Sequence, residues 1–389
     1  MEEKKAVHST EAPRSGVSAP ATATDASHAV SGTGRRAPSS GRQTSARLEW
    51  VDTARACCVI AVVAYHLYIW HFATMGVSGG SIAGAAWEEI SDDLGALRMP
   101  LLLVLSGMLA TSKIRHGFGH GKTRRSVVSN YYLYLVWLLI YAVVGSFLGS
   151  YSPTGHLQGD LPVALQLIVP DTTLWFIYAL AVYVPALSLV RMAPPLLIIG
   201  VLAVINVAIG LLADGTEPLG LKVIRLAVYF AIGVHAKDLI FRLVGTHKYA
   251  MAGVGLVAVP LLTVVFHLGI PAALNETLHL FRALAFVGAS FGITAMLVRF
   301  RWCARAGRWV GTRTLGIYVL HPVLIIALSI LADGPLRSMR TVVADSTALA
   351  LIYPVATTVL IVSTCVLIER LLIACRLGVL FRAPAWIVK

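Results

Sequence analysis

Charge is scarce in this sequence. Only 13% of its 389 residues are charged and 57% are hydrophobic, with a mean hydropathy of +0.77. A soluble domain carries about 25% charged residues. That shortage excludes a water-covered fold of this length. Cysteine is scarce too: Cys57, Cys58, Cys303, Cys365 and Cys375. No CxxC pair and no Cys/His metal spacing occurs, and adjacent Cys57 and Cys58 point to different sides of a helix. Free thiols are therefore expected, with neither a disulfide framework nor a metal centre. Hydropathy shows no inverted repeat, which disfavours many transporter architectures. Residues 1–48, rich in Ser, Ala, Thr, Gly and Pro, have no apolar period and no signal-peptide core. They bury too little surface to offset their ordering entropy, and a disordered tail is expected. Its Arg35, Arg36, Arg42 and Arg47 either meet anionic lipid or simply tether the first span.

What the chain does contain is a series of apolar runs of about 20 residues, the length that crosses a bilayer. Ten lie near 54–75, 94–112, 127–149, 172–191, 195–213, 219–236, 249–268, 277–298, 312–332 and 346–370. The loops check that count. After odd-numbered runs the basic residues are few: Lys222, Arg337 and Arg340. After even-numbered runs they are many, as in Lys113, Arg115, Lys122, Arg124 and Arg125, or Arg299, Arg301, Arg305, Arg308 and Arg313. Basic loops stay in the cytoplasm. The expectation is an all-α, polytopic membrane helix bundle of about ten transmembrane helices, in the cell membrane, with both termini cytoplasmic. A tail, 1–48, a membrane domain, 49–378, and a short C-terminal tail, 379–389, divide the chain. The net charge of +13 is then topological, and no nucleic-acid partner is expected.

Ionisable groups inside a span are expensive and usually functional. The first span reads Asp52, Thr53, Ala54, Arg55, then ten residues to His66. Eleven residues make about three turns, so Arg55 and His66 share a helix face about 16 Å apart, with Asp52 on nearly the same face. A buried histidine satisfied by a neighbour is the plain alternative for His66. The second span contains Ser106-Gly107, which permits close helix packing. Trp175 opens the fourth, where an aromatic-belt role is the plain alternative. The ninth contains Tyr318 and then His321-Pro322. That His-Pro step frees a backbone carbonyl beside a titratable ring, with a structural kink as the plain alternative.

These elements, in this order, resemble the acyltransferase-3 family of integral membrane O-acyltransferases. Asp52, Arg55 and His66 match its D-x-x-R followed by ten residues and His. Val104-Leu105-Ser106-Gly107-Met108-Leu109 matches its VLSGFL-like element, with Met for the usual Phe. Leu174-Trp175-Phe176-Ile177 matches LWFL, without the acidic residue that follows it in one large branch. Gly316-Ile317-Tyr318-Val319-Leu320-His321-Pro322 matches GIYLLHP. The basic run Lys122, Arg124, Arg125 is similar as well, and the likeness covers about 48–376. No hydrolase-like domain is appended, so a single-module enzyme is expected.

The resemblance implies transfer of an acyl group, most often acetyl, from acyl-CoA to a hydroxyl of a sugar or envelope glycan. No permanently bound cofactor is implied; acyl-CoA is the donor substrate. Imidazole suits a base working near neutral pH, so His66 is assigned as general base, with a transient acyl-His as the variant. Arg55, Arg115, Arg124 and Arg125 are assigned to the donor phosphates, which suit arginine's fork of donors. Asp52 is a candidate substrate-site residue and ion-pair partner of Arg55, with an acid at the helix N-terminus stabilised by the dipole as the plain alternative. Tyr318 and His321 are candidates for orienting the acceptor or the oxyanion, and Trp175 for stacking on a sugar ring. A transporter or flippase of a lipid-linked or small polar substrate also explains His66, Arg282 and His321 within spans. A non-catalytic scaffold is the third reading.

Overall fold

The computed structural model describes residues 40–77, 81–148, 155–213, 217–266 and 268–387. Among these the chain is helical, without strands. Its helices are α1 (Ser40–Trp70), α2 (Ile82–His116), α3 (Gly121–Leu148), α4 (Gly155–Gln158), α5 (Val163–Gln166), α6 (Trp175–Leu189) and α7 (Pro195–Ala213). There follow α8 (Leu219–His235), α9 (Lys237–Phe266), α10 (Ala272–Leu297), α11 (Arg301–Gly311), α12 (Thr314–Asp333), α13 (Arg337–Asp345) and α14 (Thr347–Ala374). Every one of the ten apolar runs falls on one of these helices, and the protein is a multi-pass membrane bundle. Among the described residues, eight helices are long and apolar enough to cross a membrane. The other two, α6 with 15 residues and α8 with 17, fall short of the roughly 20 residues of a full crossing. Both are packed inside the bundle rather than facing lipid along their length.

Some expectations of loop and tail change. Of the expected disordered tail, 1–39 lie outside the described residues, while 40–48 continue α1 backwards. The expected outer loop at 76–93 is largely the start of α2, capped by the Ser81 side chain accepting from Gly84 N–H at 3.0 Å. At 35 residues α2 is about 52 Å long, more than the hydrocarbon core is thick. Its first turns carry exposed Glu88, Glu89 and Asp92. The arginine-rich loop after the eighth run contains α11, an amphipathic helix. Gly307 of α11 lies against the Thr53 side chain and Gly311 against the Asp52 backbone, while Trp302 stays exposed.

The C-terminal segment, expected as a tail, docks. Helix α14 ends with Arg376 at φ +64°. Leu377 N–H bonds to Leu372 O at 2.9 Å and Arg376 N–H to Ile373 O at 3.1 Å, the paired bonds of a Schellman turn. The reversal brings Phe381 to Trp137 of α3, ring centroids 5.9 Å apart, and the Trp137 indole donates to Leu380 O at 2.7 Å. Residues 388–389 lie outside the described residues.

Small residues set the closest approach. A side chain on Gly107 of α2 would strike the Phe230 carbonyl of α8, and one on Gly233 of α8 would strike the Val104 carbonyl of α2. The Ser106-Gly107 step is thus a packing device, fixed further by Thr111 of α2 donating to Val234 O at 3.3 Å. Gly107→Leu should lower stability by about 1–3 kcal/mol, the usual cost of overpacking. Gly253→Leu, whose added Cβ meets open space, should leave it unchanged. Thermal unfolding of the detergent-purified variants, followed by size-exclusion recovery, checks both.

Candidate active site

One cavity of about 1070 Å³ penetrates the bundle, at the upper end of the volumes that hold small molecules. Helix α1 presents Val62, Tyr65, His66, Ile69 and Trp70 to it, the i, i+3, i+4, i+7, i+8 stripe of one helix face. Helix α2 contributes Gly95, Ala96, Arg98, Met99 and Pro100; α8 contributes Lys222, Arg225 and Tyr229; α10 contributes Glu276 and His279; Trp175 and Tyr318 come from α6 and α12. Pro100 cannot donate to the carbonyl four residues before it, so the helix wall loosens where it meets the cavity.

The mouth is polar. Asp160, Asp171 and Glu217 line it, and all lie at the end of the bundle opposite the basic loops. The Asp171 carboxylate accepts from the N–H groups of Asp160 and Leu161 at 2.6 and 2.9 Å. Gln166, fully buried, donates to Gln158 O at 2.5 Å and Leu161 O at 2.7 Å. These bonds fold the 158–171 segment into a rim. Across from it, Arg225 binds Glu217 and Glu276, both at 2.7 Å. Helices α8 and α10 and the chain before α8 are thereby joined.

At the inner end, His66 Nδ1 lies 3.1 Å from His321 Nε2, with the two rings stacked and centroids 5.1 Å apart. His321 Nδ1 lies 3.0 Å from the Ile317 carbonyl. A carbonyl only accepts, so the hydrogen-bond pattern assigns the proton of neutral His321 to Nδ1. His321 Nε2 then accepts from His66 Nδ1–H, which puts the lone pair of His66 on Nε2. The ring nitrogen of His66 turned from the pair is thus the basic one. His321 is fully buried. The neighbouring Tyr318 carbonyl is the one that Pro322, four residues on, leaves without its helical donor.

The structure brings His66, Tyr318 and Trp175 to the cavity wall and sets His321 behind His66. Tyr318 donates its hydroxyl to the Thr173 carbonyl. Arg55, by contrast, does not line the cavity; it donates to Thr314 Oγ1 of α12 at 2.9 Å. No Asp52–Arg55 ion pair forms within 4 Å among the described residues, and the Asp52 backbone serves as the seat for Gly311. Arg115 pairs with Asp238 at 3.3 Å. Arg125 lines a separate cleft of about 450 Å³ at the basic end, with Lys113, Lys122, Ser126 and Arg382; Arg124 is not among its lining residues.

Sequence reasoning passed over Arg98, Lys222, Arg225, Glu217 and Glu276. Arg98 and Arg225 sit within apolar runs, and that position was the available signal. Arg98 Cζ lies 3.3 Å over the centre of the Tyr65 ring. Its Nε and Nη1 are buried and without a hydrogen-bond partner among the described residues.

A water-soluble thiol reagent should reach this cavity. In a background without the native cysteines, Leu219→Cys at the mouth should react at a rate comparable to an exposed thiol. Val63→Cys, fully buried on α1, should not react in the folded state. Labelling read by mass spectrometry decides.

A family model described as an acyltransferase domain, of the acyltransferase-3 type, matches residues 48–370. Comparison with curated proteins and with solved structures returns no match.

Proposed function

Because the chain belongs to the acyltransferase-3 family and is a membrane acyltransferase, we propose that it moves an acyl group, most simply acetyl, from acyl-CoA to a hydroxyl of a sugar or envelope glycan. The observation that carries this reading is the relay from the Ile317 carbonyl through His321 to His66 at the wall of a large cavity. Acyl transfer needs a base poised against the attacking hydroxyl. His66 takes that proton on Nε2. His321 accepts from Nδ1–H throughout, holding the tautomer and sharing the charge of the imidazolium that forms. It is a positioning residue.

The positive-inside distribution of lysine and arginine supports a cytoplasmic basic end, with the bundle in the cell membrane. The cavity mouth then lies on the far side, which suits an acceptor approaching from outside. Its wall suits a sugar: Trp70, Trp175 and Tyr229 offer apolar ring faces, and Asp160 and Asn206 offer polar groups for hydroxyls. The donor is cytosolic and polyanionic. Lys113, Lys122, Arg125 and Arg382 around one cleft form the phosphate seat. Arg55, bound to Thr314, keeps α1 in register with α12, so that His66 meets His321. Between Arg55 and His66, Val59 and Val63 are buried; that layer parts when the pantetheine arm carries its thioester inward.

Two measurements test the reading in purified protein supplied with labelled acetyl-CoA and an envelope-glycan extract. His66→Ala should lower kcat by about 10²–10⁴-fold, the usual worth of general base catalysis. His321→Ala loses one hydrogen bond worth about 1.5 kcal/mol, close to tenfold. Wild-type turnover in His66→Ala removes the proposed base. Arg125→Ala should raise the donor KM by about 10–100-fold, the worth of a charged phosphate contact, whereas Arg55→Ala should act on kcat. An unchanged donor KM in both Arg125→Ala and Lys122→Ala would place the donor elsewhere.

A further inference from the structure

We infer that Arg98 is a catalytic residue whose guanidinium stabilises the negative charge formed on the thioester carbonyl oxygen during acyl transfer. The inference rests on the acyl-transfer reading above and supplies the half of its charge balance that His66 leaves open.

When the acceptor hydroxyl oxygen adds to the thioester carbon, its proton passes to His66 Nε2. The carbonyl π pair becomes a lone pair on oxygen, giving a tetrahedral oxyanion. On collapse the C=O bond re-forms, the C–S bond breaks, and the CoA thiolate leaves with the proton returned by His66. In a cavity sheltered from water that oxyanion needs a fixed donor.

The groups that sequence reasoning offered for the task are engaged elsewhere. Tyr318 gives its hydroxyl to the Thr173 carbonyl, and His321 is committed to Ile317 and His66. Arg225, on the same cavity, is held by two carboxylates. Arg98 is held differently. A cation–π contact with Tyr65, Cζ 3.3 Å from the ring centre, holds the guanidinium in place. Buried Nε and Nη1 have no partner among the described residues. Leaving charged donors unsatisfied in the middle of a spanning helix is costly, and a ligand anion relieves that cost.

The distance fits as well. Tyr65 and His66 have ring centroids 5.5 Å apart, so Arg98 Cζ lies within about 9 Å of the His66 ring centre. A thioester carbon and an attacking oxygen fill such a gap, with the base on one side and the oxyanion donor on the other. Register is fixed by Cys58 of α1, whose thiol donates to the Arg98 carbonyl at 3.0 Å.

The test uses the full chain in lipid nanodiscs, labelled acetyl-CoA and envelope-glycan extract, with melting temperature as a check on folding. Arg98→Ala should lower kcat by about 10²–10³-fold, as for loss of an oxyanion donor, with the donor KM within about twofold of wild type. Added guanidinium ion should restore part of that rate in Arg98→Ala and none in His66→Ala. Arg98→Lys, which keeps the charge and loses the fork, should melt like wild type and remain at least tenfold slow. A kcat within threefold of wild type in Arg98→Ala overturns the assignment while leaving His66 as base. So does a rate loss that tracks a raised donor KM and resists guanidinium rescue. If Arg98→Ala does not fold, full activity in well-folded Arg98→Lys overturns it instead. Absence of acyl transfer by wild type removes the enzymatic reading and this assignment with it.

Discussion

The contact between His66 and His321 fixes more of this protein than any other single interaction. It joins α1 to α12 at mid-bundle, and its direction follows from a backbone carbonyl that accepts and cannot donate. Once Ile317 orients His321, the tautomer of His66 follows, and with it the nitrogen that keeps a lone pair. The remaining framework keeps those two helices in register. Arg55 meets Thr314 one level away, Tyr141 donates to the Val319 carbonyl at 2.9 Å, and Gly316 lies close against the Glu369 side chain. None of these groups touches the cavity except through the histidine pair, yet each sets where the imidazole stands.

Sequence made the helices legible because an apolar run of about 20 residues has one economical solution in lipid. It made the candidate site partly legible because ionisable groups within spans announce themselves. His66 and His321 were visible as separate signals, and helical spacing ran no further than the face of one helix. That they meet is a tertiary fact, for they stand 255 positions apart. The same limit hid the Arg225 pairing with Glu217 and Glu276, whose partners come from three places in the chain. Arg98 stood inside an apolar run and was open to reading; its meaning depends on the Tyr65 ring beneath it, which no spacing rule supplies. Asp52 and Arg55 were paired on paper by helical proximity, whereas the folded chain gives Arg55 a hydroxyl from another helix. Residues 299–313 read as loop because their arginines mask an amphipathic period of only three turns.

The cavity and the basic cleft lie toward opposite ends of the bundle, and no residue of the cleft lines the cavity. This separation has a physical logic if the protein transfers a group across the bilayer, as proposed. A hydrated polyanion and a polyhydroxyl substrate both resist burial. Keeping each at its own aqueous face means that only the acyl group and its short thioester linkage enter the apolar middle. In that reading the buried layer around Val59 and Val63 would seal one aqueous side from the other.

A left-handed arginine at the close of α14 has an effect that reaches beyond its own turn. Arg376 folds the chain back so that Phe381 caps Trp137 and Arg382 arrives beside Lys113 and Arg125. The segment after α14 thereby becomes a wall of the basic cleft. If that cleft takes the donor as proposed, a bulky label attached at Ala383 would narrow its entrance, and kinetic constants measured with the label would describe an altered protein.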